Sequence, residues 1–396
     1  MRIYSAADEE TLRTRRLLKD WADEGFITKE QYQRLENETV SDLRTTNIFL
    51  RLVLFLFTLI GVSAGIGLFF VGSGPSQQTV GVFLLVFAGV CYGAAEFAVS
   101  QGRLYRYGIE EALAVCSVGF LCVGIEIVFF RDSSTPDRAQ FLVPAVGALF
   151  SLWIWRRFGL WYAFLAAMIF VIFLPGYWTP SHAAQHVIVA GFYAIGLICV
   201  AAVRSRHGFD YLENAYSLAE ALLWLGIYLA INLKLSSLNL PAQWWGGTRV
   251  VLEFAKPFYW TTWVLIWCLP PVVLARGIRQ KDRFVLAVGA IAAILTFITN
   301  ESYLGWPRHT WDPMILGILL TGVAIFIRRW LARGPGGIRD GFTAARLSGK
   351  DKQWMSAGSA VLGLVSPQAI TPAPQGGQDF RFGGGQSGGG GASGEF

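Results

Sequence analysis

Leu52 to Val71 reads LVLFLFTLIGVSAGIGLFFV, twenty residues without a charge. At about 1.5 Å of rise per residue, a helix of that length crosses the roughly 30 Å hydrocarbon core of a bilayer. Arg51 marks one end and the uncharged turn Gly72-Ser73-Gly74-Pro75 the other. Inside hydrocarbon every backbone polar group must be satisfied within the protein, so spans are helices or closed barrels. This run is too long and too apolar for a barrel strand. The chain therefore reads as an integral membrane protein of the all-α, polytopic helical-bundle class.

Composition supports that class. Charged residues make up 15% of the chain, against about 25% in a soluble domain, hydrophobic residues 54%, and mean hydropathy is +0.45. The net charge of +6 is explained by Lys and Arg that hold loops on the cytoplasmic side, and no nucleic-acid partner is expected. The cysteines Cys91, Cys116, Cys122, Cys199 and Cys268 all fall in apolar runs, without a CxxC pair. They read as small buried hydrophobes, not as a disulfide framework or a zinc site. The first 47 residues are polar, and the first apolar run is too long for a signal-peptide core.

Further spans fall near 78–99, 111–130, 141–155, 158–174, 186–203, 217–233, 258–275, 284–299 and 313–331, which makes ten. Only Arg156 and Arg157 separate the fourth from the fifth, so a tight interfacial turn is expected there. With the N-terminus inside, the inner loops hold ten Lys and Arg against six in the outer loops. The tails hold nine bases up to Arg51 and eight from Arg328 onward, and an even number of spans puts them on one side, so the positive-inside rule places both ends in the cytoplasm, at a bacterium's inner membrane. Three regions follow: 1–47 as a cytoplasmic helical hairpin, 48–331 as the bundle, and 332–396 as a basic, then Pro/Gly-rich, disordered cytoplasmic tail. Small residues four apart, as in Gly61-x-x-x-Gly65 and Gly89-x-x-x-Gly93, suggest close helix packing within the bundle.

The N-terminal region carries the clearest local signals. Ser5-x-x-Asp8 opens a first helix with Leu12, Leu17, Leu18 and Trp21 as its apolar stripe, and Gly25 closes it. Thr28-Lys29-Glu30-Gln31 matches a capping box, with Ile27 and Tyr32 placed as a hydrophobic staple. A DNA-reading helix is disfavoured, because Lys29 to Glu38 holds two bases against three acids.

Ionisable groups in spans are the default functional candidates. Glu96, Glu110, Glu111 and Glu220 lie near the inner ends, where snorkelling or pairing with Arg103, Arg106 or Arg204 accounts for them without transport. Glu126 stands about a turn inside the outer end of the third span, with Arg131 its nearest sequence partner. His182, His186, Asn300, Glu301, His309 and Asp312 share that outer face. His182 and His186 are four apart, as metal ligands on one helix face can be, but no third ligand follows at fixed spacing. No metal or other cofactor is expected. Trp-rich outer loops around Pro175–Pro180, Trp244-Trp245 and Leu304–Pro313 read as an aromatic belt, with a substrate vestibule as the alternative. No phosphate-binding loop, HExxH or nucleophile elbow occurs in a supporting context, which argues against an enzyme.

The segment LLKDWADEGFITKEQYQRLENE, followed directly by the first span, resembles a family of predicted bacterial polytopic membrane proteins classed as a domain of unknown function. In that family a short hairpin of the type W-x-x-x-G-x-I-[ST]-x-x-Q leads into many spans. Here Trp21, Gly25, Ile27, Thr28 and Gln31 carry the match, and Trp311-Asp312-Pro313 resembles the opening of the family's last span. The resemblance implies a membrane bundle and supplies no catalytic or binding residues. Two functions stay open: a structural or regulatory envelope protein whose hairpin meets a cytoplasmic protein partner while lipid surrounds the bundle, or a secondary transporter of a small solute. In a cysteine-free background, an outside reagent is expected to label Ser76→Cys, Ser181→Cys and Gly246→Cys, but not Gly102→Cys or Gly208→Cys. Labelling of the last two reverses the topology.

Overall fold

The computed structural model describes residues 2–23, 25–39, 41–73, 76–130, 138–207, 212–236, 254–306, 311–334, 338–339 and 342–343. All lie within Met1–Ala345, which forms one compact unit. The hairpin helices are α1 (Ala6–Asp23) and α2 (Lys29–Glu38). The long helices are α3 (Ile48–Ser73), α4 (Gln77–Ser100), α5 (Ile109–Phe129), α6 (Leu142–Phe158), α7 (Trp161–Trp178), α8 (His182–Arg204) and α9 (Glu213–Ile231). After the single turn α10 (Leu233–Ser236) come α11 (Lys256–Gln280), α12 (Arg283–Leu304) and α13 (Asp312–Ala332). Ten of these are long and apolar enough to cross a membrane, so the protein is an all-α, multi-pass helical bundle. A two-residue ladder, Ile338–Arg339 against Phe342–Thr343, follows α13. The Gly-rich tail, Trp244-Trp245 and His309 lie outside the described residues.

Local chemistry sets the helix ends. Gly25, at φ +78°, closes α1: its N–H bonds the Ala22 carbonyl while the Phe26 N–H reaches back to Trp21. This is the Schellman pattern. Thr28 then opens α2 with both arms of the capping box, Gln31 N–H to Thr28 Oγ1 at 3.2 Å and Thr28 N–H to Gln31 Oε1 at 2.9 Å. The turn between α6 and α7 lies two residues beyond Arg157. Gly159 supplies the left-handed residue there, at φ +72°, so Arg156 and Arg157 complete the last turn of α6.

Packing is centred on α9, the span with the largest buried share, which touches α7, α8, α11 and α12. Close approach uses glycine. A Cβ on Gly226 would stand 2.5 Å from Met168 Cε, and one on Gly277 2.9 Å from the backbone nitrogen of Leu286. The Gly61/Gly65 and Gly89/Gly93 pairs do not work this way: a Cβ at any of the four would meet nothing within 4 Å. In α3 and α13 none of the described residues is buried. Helix–helix contact in lipid is selected by shape, and a small-residue spacing alone does not say which face finds a neighbour.

The N-terminal region is bound to one end of the bundle, here called the hairpin face. Ile3 N–H bonds the Arg157 carbonyl at 3.0 Å. Arg44 pairs in backbone register beside Leu104, its N–H bonding Arg103 O at 2.8 Å and its carbonyl accepting from Tyr105 N–H at 3.0 Å. Tyr4 is buried edge-on to Tyr105 with ring centroids 4.8 Å apart, and it shares a core with Leu12, Val99, Ile154 and Phe158. Leu12 and Leu18 are buried, whereas Leu17 and Trp21 are 43% and 47% exposed. Trp21 stands about 180° around the helix from Leu12 at 100° per residue, so one docking face cannot take both.

Burial raises the Tyr4 pKa, with the Glu110 charge adding to it, and the buried hydroxyl has no partner among the described residues. Tyr4→Phe is therefore expected to leave hairpin docking unchanged or firmer. Tyr4→Ala empties a buried aromatic site, at a cost of about 3–5 kcal/mol, and should raise amide exchange in α1 and α2 while α9 stays protected. Equal exchange in both variants would show that Tyr4 does not hold the hairpin.

Candidate functional site

At the hairpin face, buried and half-buried charges of the described residues form two groups. The first forms where the hairpin, α3 and α5 meet. Gly108, at φ +107°, lets α5 start directly beside α3; a Cβ there would lie 2.2 Å from the Arg51 carbonyl oxygen. That contact aligns Arg51 with the buried Glu111 in a two-point ion pair, Nε to Oε2 at 2.9 Å and Nη2 to Oε1. Such a planar fork fixes direction as well as charge. Glu110 is fully buried; its Oε1 accepts the Tyr107 N–H at 2.6 Å, and its Oε2 has no partner among the described residues. Glu9, from α1, is paired with Arg2 at 2.7 Å. Burial nevertheless outweighs that pairing and raises the Glu9 pKa. A carboxyl whose folded-state pKa is raised gives its stability below the unfolded value and loses it as pH climbs through the folded one, so docking through Glu9 is favoured on the acid side.

The second group clamps α9. Glu220, with no exposed surface, takes Arg204 Nη1 on Oε2 at 2.7 Å and Arg276 Nε on Oε1 at 3.1 Å. Arg204 also reaches Asp282 at 2.6 Å, and Ser217 donates to the same carboxylate oxygen at 2.6 Å. The other oxygen of Asp282 caps α12 by accepting the Phe284 and Val285 N–H groups. One carboxylate thus ties α8, α9 and α12 together. Glu96 makes a third, more open contact, accepting from Arg157 at 2.7 Å and from Tyr92 at 2.9 Å. Of the four acids, Glu220 pairs with Arg204 as expected, Glu96 and Glu111 choose Arg157 and Arg51, and Glu110 takes a backbone N–H instead, while Arg103 pairs with Asp42.

The described outer-face candidates do not meet in one place. Glu126 is exposed on α5. His182 contacts Gln185 at 3.3 Å, whereas His186 turns to the Ala230 carbonyl on α9 at 2.7 Å. Asn300 accepts from the indoles of Trp263 and Trp267 at 3.0 and 3.3 Å. Glu301 closes α12, its carbonyl accepting from Gly305 and Trp306. Asp312 opens α13, and its side chain, like all of His309, lies outside the description. Among the described residues no three His, Cys, Asp or Glu side chains converge as a metal site.

A neutral network at the far end of α9 carried no sequence signal strong enough to be singled out. Asn232 Nδ2 reaches Tyr228 OH and Thr299 Oγ1, both at 3.0 Å, and Thr296 bonds Tyr228 at 2.9 Å. The Tyr303 hydroxyl accepts the Leu233 N–H at 2.8 Å. Thr296 and Thr299, three apart on α12, were the available clue, because hydroxyls at helical spacing in a span look for a polar partner. No family model, curated protein or solved structure matches the chain.

Arg204 supports two buried carboxylates and is itself largely covered, whereas the Arg276 side chain is 42% exposed. Arg204→Leu leaves two buried charges short of a partner and should destabilise the bundle by about 3–5 kcal/mol. Arg276→Leu is expected to cost about 1 kcal/mol or less. Thermal unfolding of the purified variants in one detergent checks the order; equal losses would remove Arg204 from its central place.

Proposed function

We propose that the protein is a membrane-anchored scaffold that holds the α1–α2 hairpin against its cytoplasmic face and offers Trp21 to a protein partner. The carrying observation is the exposure of Trp21 in a motif whose other positions serve folding. Gly25 ends α1, and Thr28 and Gln31 cap α2. The Trp21 carbonyl completes the turn, but its ring is 47% exposed, beside Phe26 at 74%. A docked, partly rigid hairpin with exposed aromatics suits a small recognition surface, because little ordering entropy is lost on binding. The hairpin motif also supports membership in the bacterial membrane family that the sequence resembles. The charge bias of the loops supports an inner-membrane location with both ends in the cytoplasm.

Transport by inverted repeats has less support. Five-plus-five symmetry would match α11, which contains Pro270 and Pro271, with α5, which contains no proline. The buried acid of α9 is also held by two arginines at the bundle edge.

A photo-reactive residue in place of Phe26 in the full-length membrane protein should give one discrete protein adduct that Trp21→Ala abolishes, with the hairpin still docked by amide exchange. Deletion of residues 1–45 should abolish the phenotype of the intact protein. Proton-gradient-driven solute uptake by reconstituted vesicles, retained after that deletion, would sink the scaffold reading in favour of a transporter.

A further inference from the structure

A cavity of about 530 Å³ lies between α7, α8 and α9, toward the end of the bundle opposite the hairpin. Its size falls in the range of roughly 300–1,000 Å³ usual for small-molecule sites. At the deep end, Tyr193 donates its hydroxyl to the Met168 carbonyl at 2.7 Å, and both side chains press against Gly226. At the shallow end stand Gln185 and His186, in the first two turns of α8. The two ends are seven residues apart on α8, roughly 10 Å along the helix. Ile169, Ile172 and Leu229 line the cavity and are 48%, 53% and 42% exposed, so it opens sideways on the surface that a bilayer covers.

Among the described residues the lining contains no Asp, Glu, Lys or Arg. Of its three polar side chains, Tyr193 is engaged with Met168, and Gln185 is held at both ends, by the Thr179 carbonyl at 2.8 Å and by His182. His186 differs. Its Nδ1 faces the Ala230 carbonyl, which can only accept, so Nδ1 carries the proton and Nε2 is the ring's acceptor. We infer that this cavity binds the hydrocarbon chain of an uncharged, hydroxyl-bearing lipid, with His186 Nε2 accepting from the head-group hydroxyl. The apolar walls take the chain from the bilayer without a charged group having to be desolvated. Among the described lining residues a phosphate head would find no cation, and a polar solute no chain of free donors and acceptors along the walls.

The probe is a monoacylglycerol with a diazirine in its acyl chain, presented to the full-length protein in phosphatidylcholine vesicles. Adducts should concentrate on peptides of α7, α8 and α9 and exceed those on α3 and α13, none of whose described residues is buried. Unlabelled monoacylglycerol should compete, whereas its bis-methyl ether, which accepts but does not donate, should not. His186→Phe should lower labelling about fivefold, the weight of one neutral hydrogen bond. Leu229→Trp, placed at the open mouth where added bulk does not disturb the buried core, should lower it as well. Ile195→Trp, exposed on α8 away from the lining, should not. Labelling spread evenly over α3 and α13 would mean annular lipid only and would overturn the site. So would equal competition by the methyl ether, or equal labelling by a diazirine phosphatidic acid.

Discussion

Helices already surrounded by hydrocarbon gain little from burying more of it, so their association has to come from close packing and polar contacts. In this bundle both kinds converge on α9. At the hairpin face Glu220 draws in Arg204 from α8 and Arg276 from α11. At the opposite end Asn232, the residue that closes α9, joins Tyr228 to Thr299 of α12. Between these ends Gly226 lets Met168 and Tyr193 approach the backbone. The two polar ends differ in what they do. A charged clamp fails badly when one partner is removed, because a buried charge remains. A neutral, mutually satisfied network mainly fixes which residues face each other.

The spans were legible in the sequence because length and absence of charge are local properties, and a run such as Leu52–Val71 has only one way to satisfy its backbone in lipid. The ends were less so. The expected turn at Arg156 and Arg157 moved to Gly159, since a left-handed residue ends a helix more decisively than a pair of charges does. The hairpin signals were legible for the same reason as the spans: Gly25, Thr28 and Gln31 act within three or four residues of themselves.

Pairings across the bundle were not legible. Arg51 and Glu111 are sixty residues apart, and Glu96 and Arg157 sixty-one, so the nearer Arg103 and Arg106 looked the better partners. What decides is backbone approach. Gly108 sets α5 against the start of α3, and α6 runs on as far as Gly159, so that Arg157 in its last turn reaches Glu96 on α4. The cavity was hidden for a related reason. Its walls come from three helices, none of which has a polar spacing that marks a site, and the spacing of His182 and His186 does not reveal that His186 faces the Ala230 carbonyl.

Hairpin and cavity lie at opposite ends of the bundle, yet they share α7. The turn that begins α7 is the one on which the N-terminal residues rest: Ile3 bonds Arg157, and Arg2 lies against Gly159 so closely that a Cβ there would stand 3.0 Å from its guanidinium carbon. Further along, the middle of α7 carries Ile169 and Ile172, one wall of the cavity mouth. Across the mouth, α9 is fixed at both ends by Glu220 and Asn232. Against α9, α7 presents apolar side chains, and its named polar tie near the cavity is the Tyr193 hydroxyl on the Met168 carbonyl. A wall held mainly by packing can shift by repacking, whereas a wall held by buried charge cannot move without stranding it. Of the two walls, α7 is therefore the one held mainly by packing, and α9 the one tied down by buried polar groups at both ends.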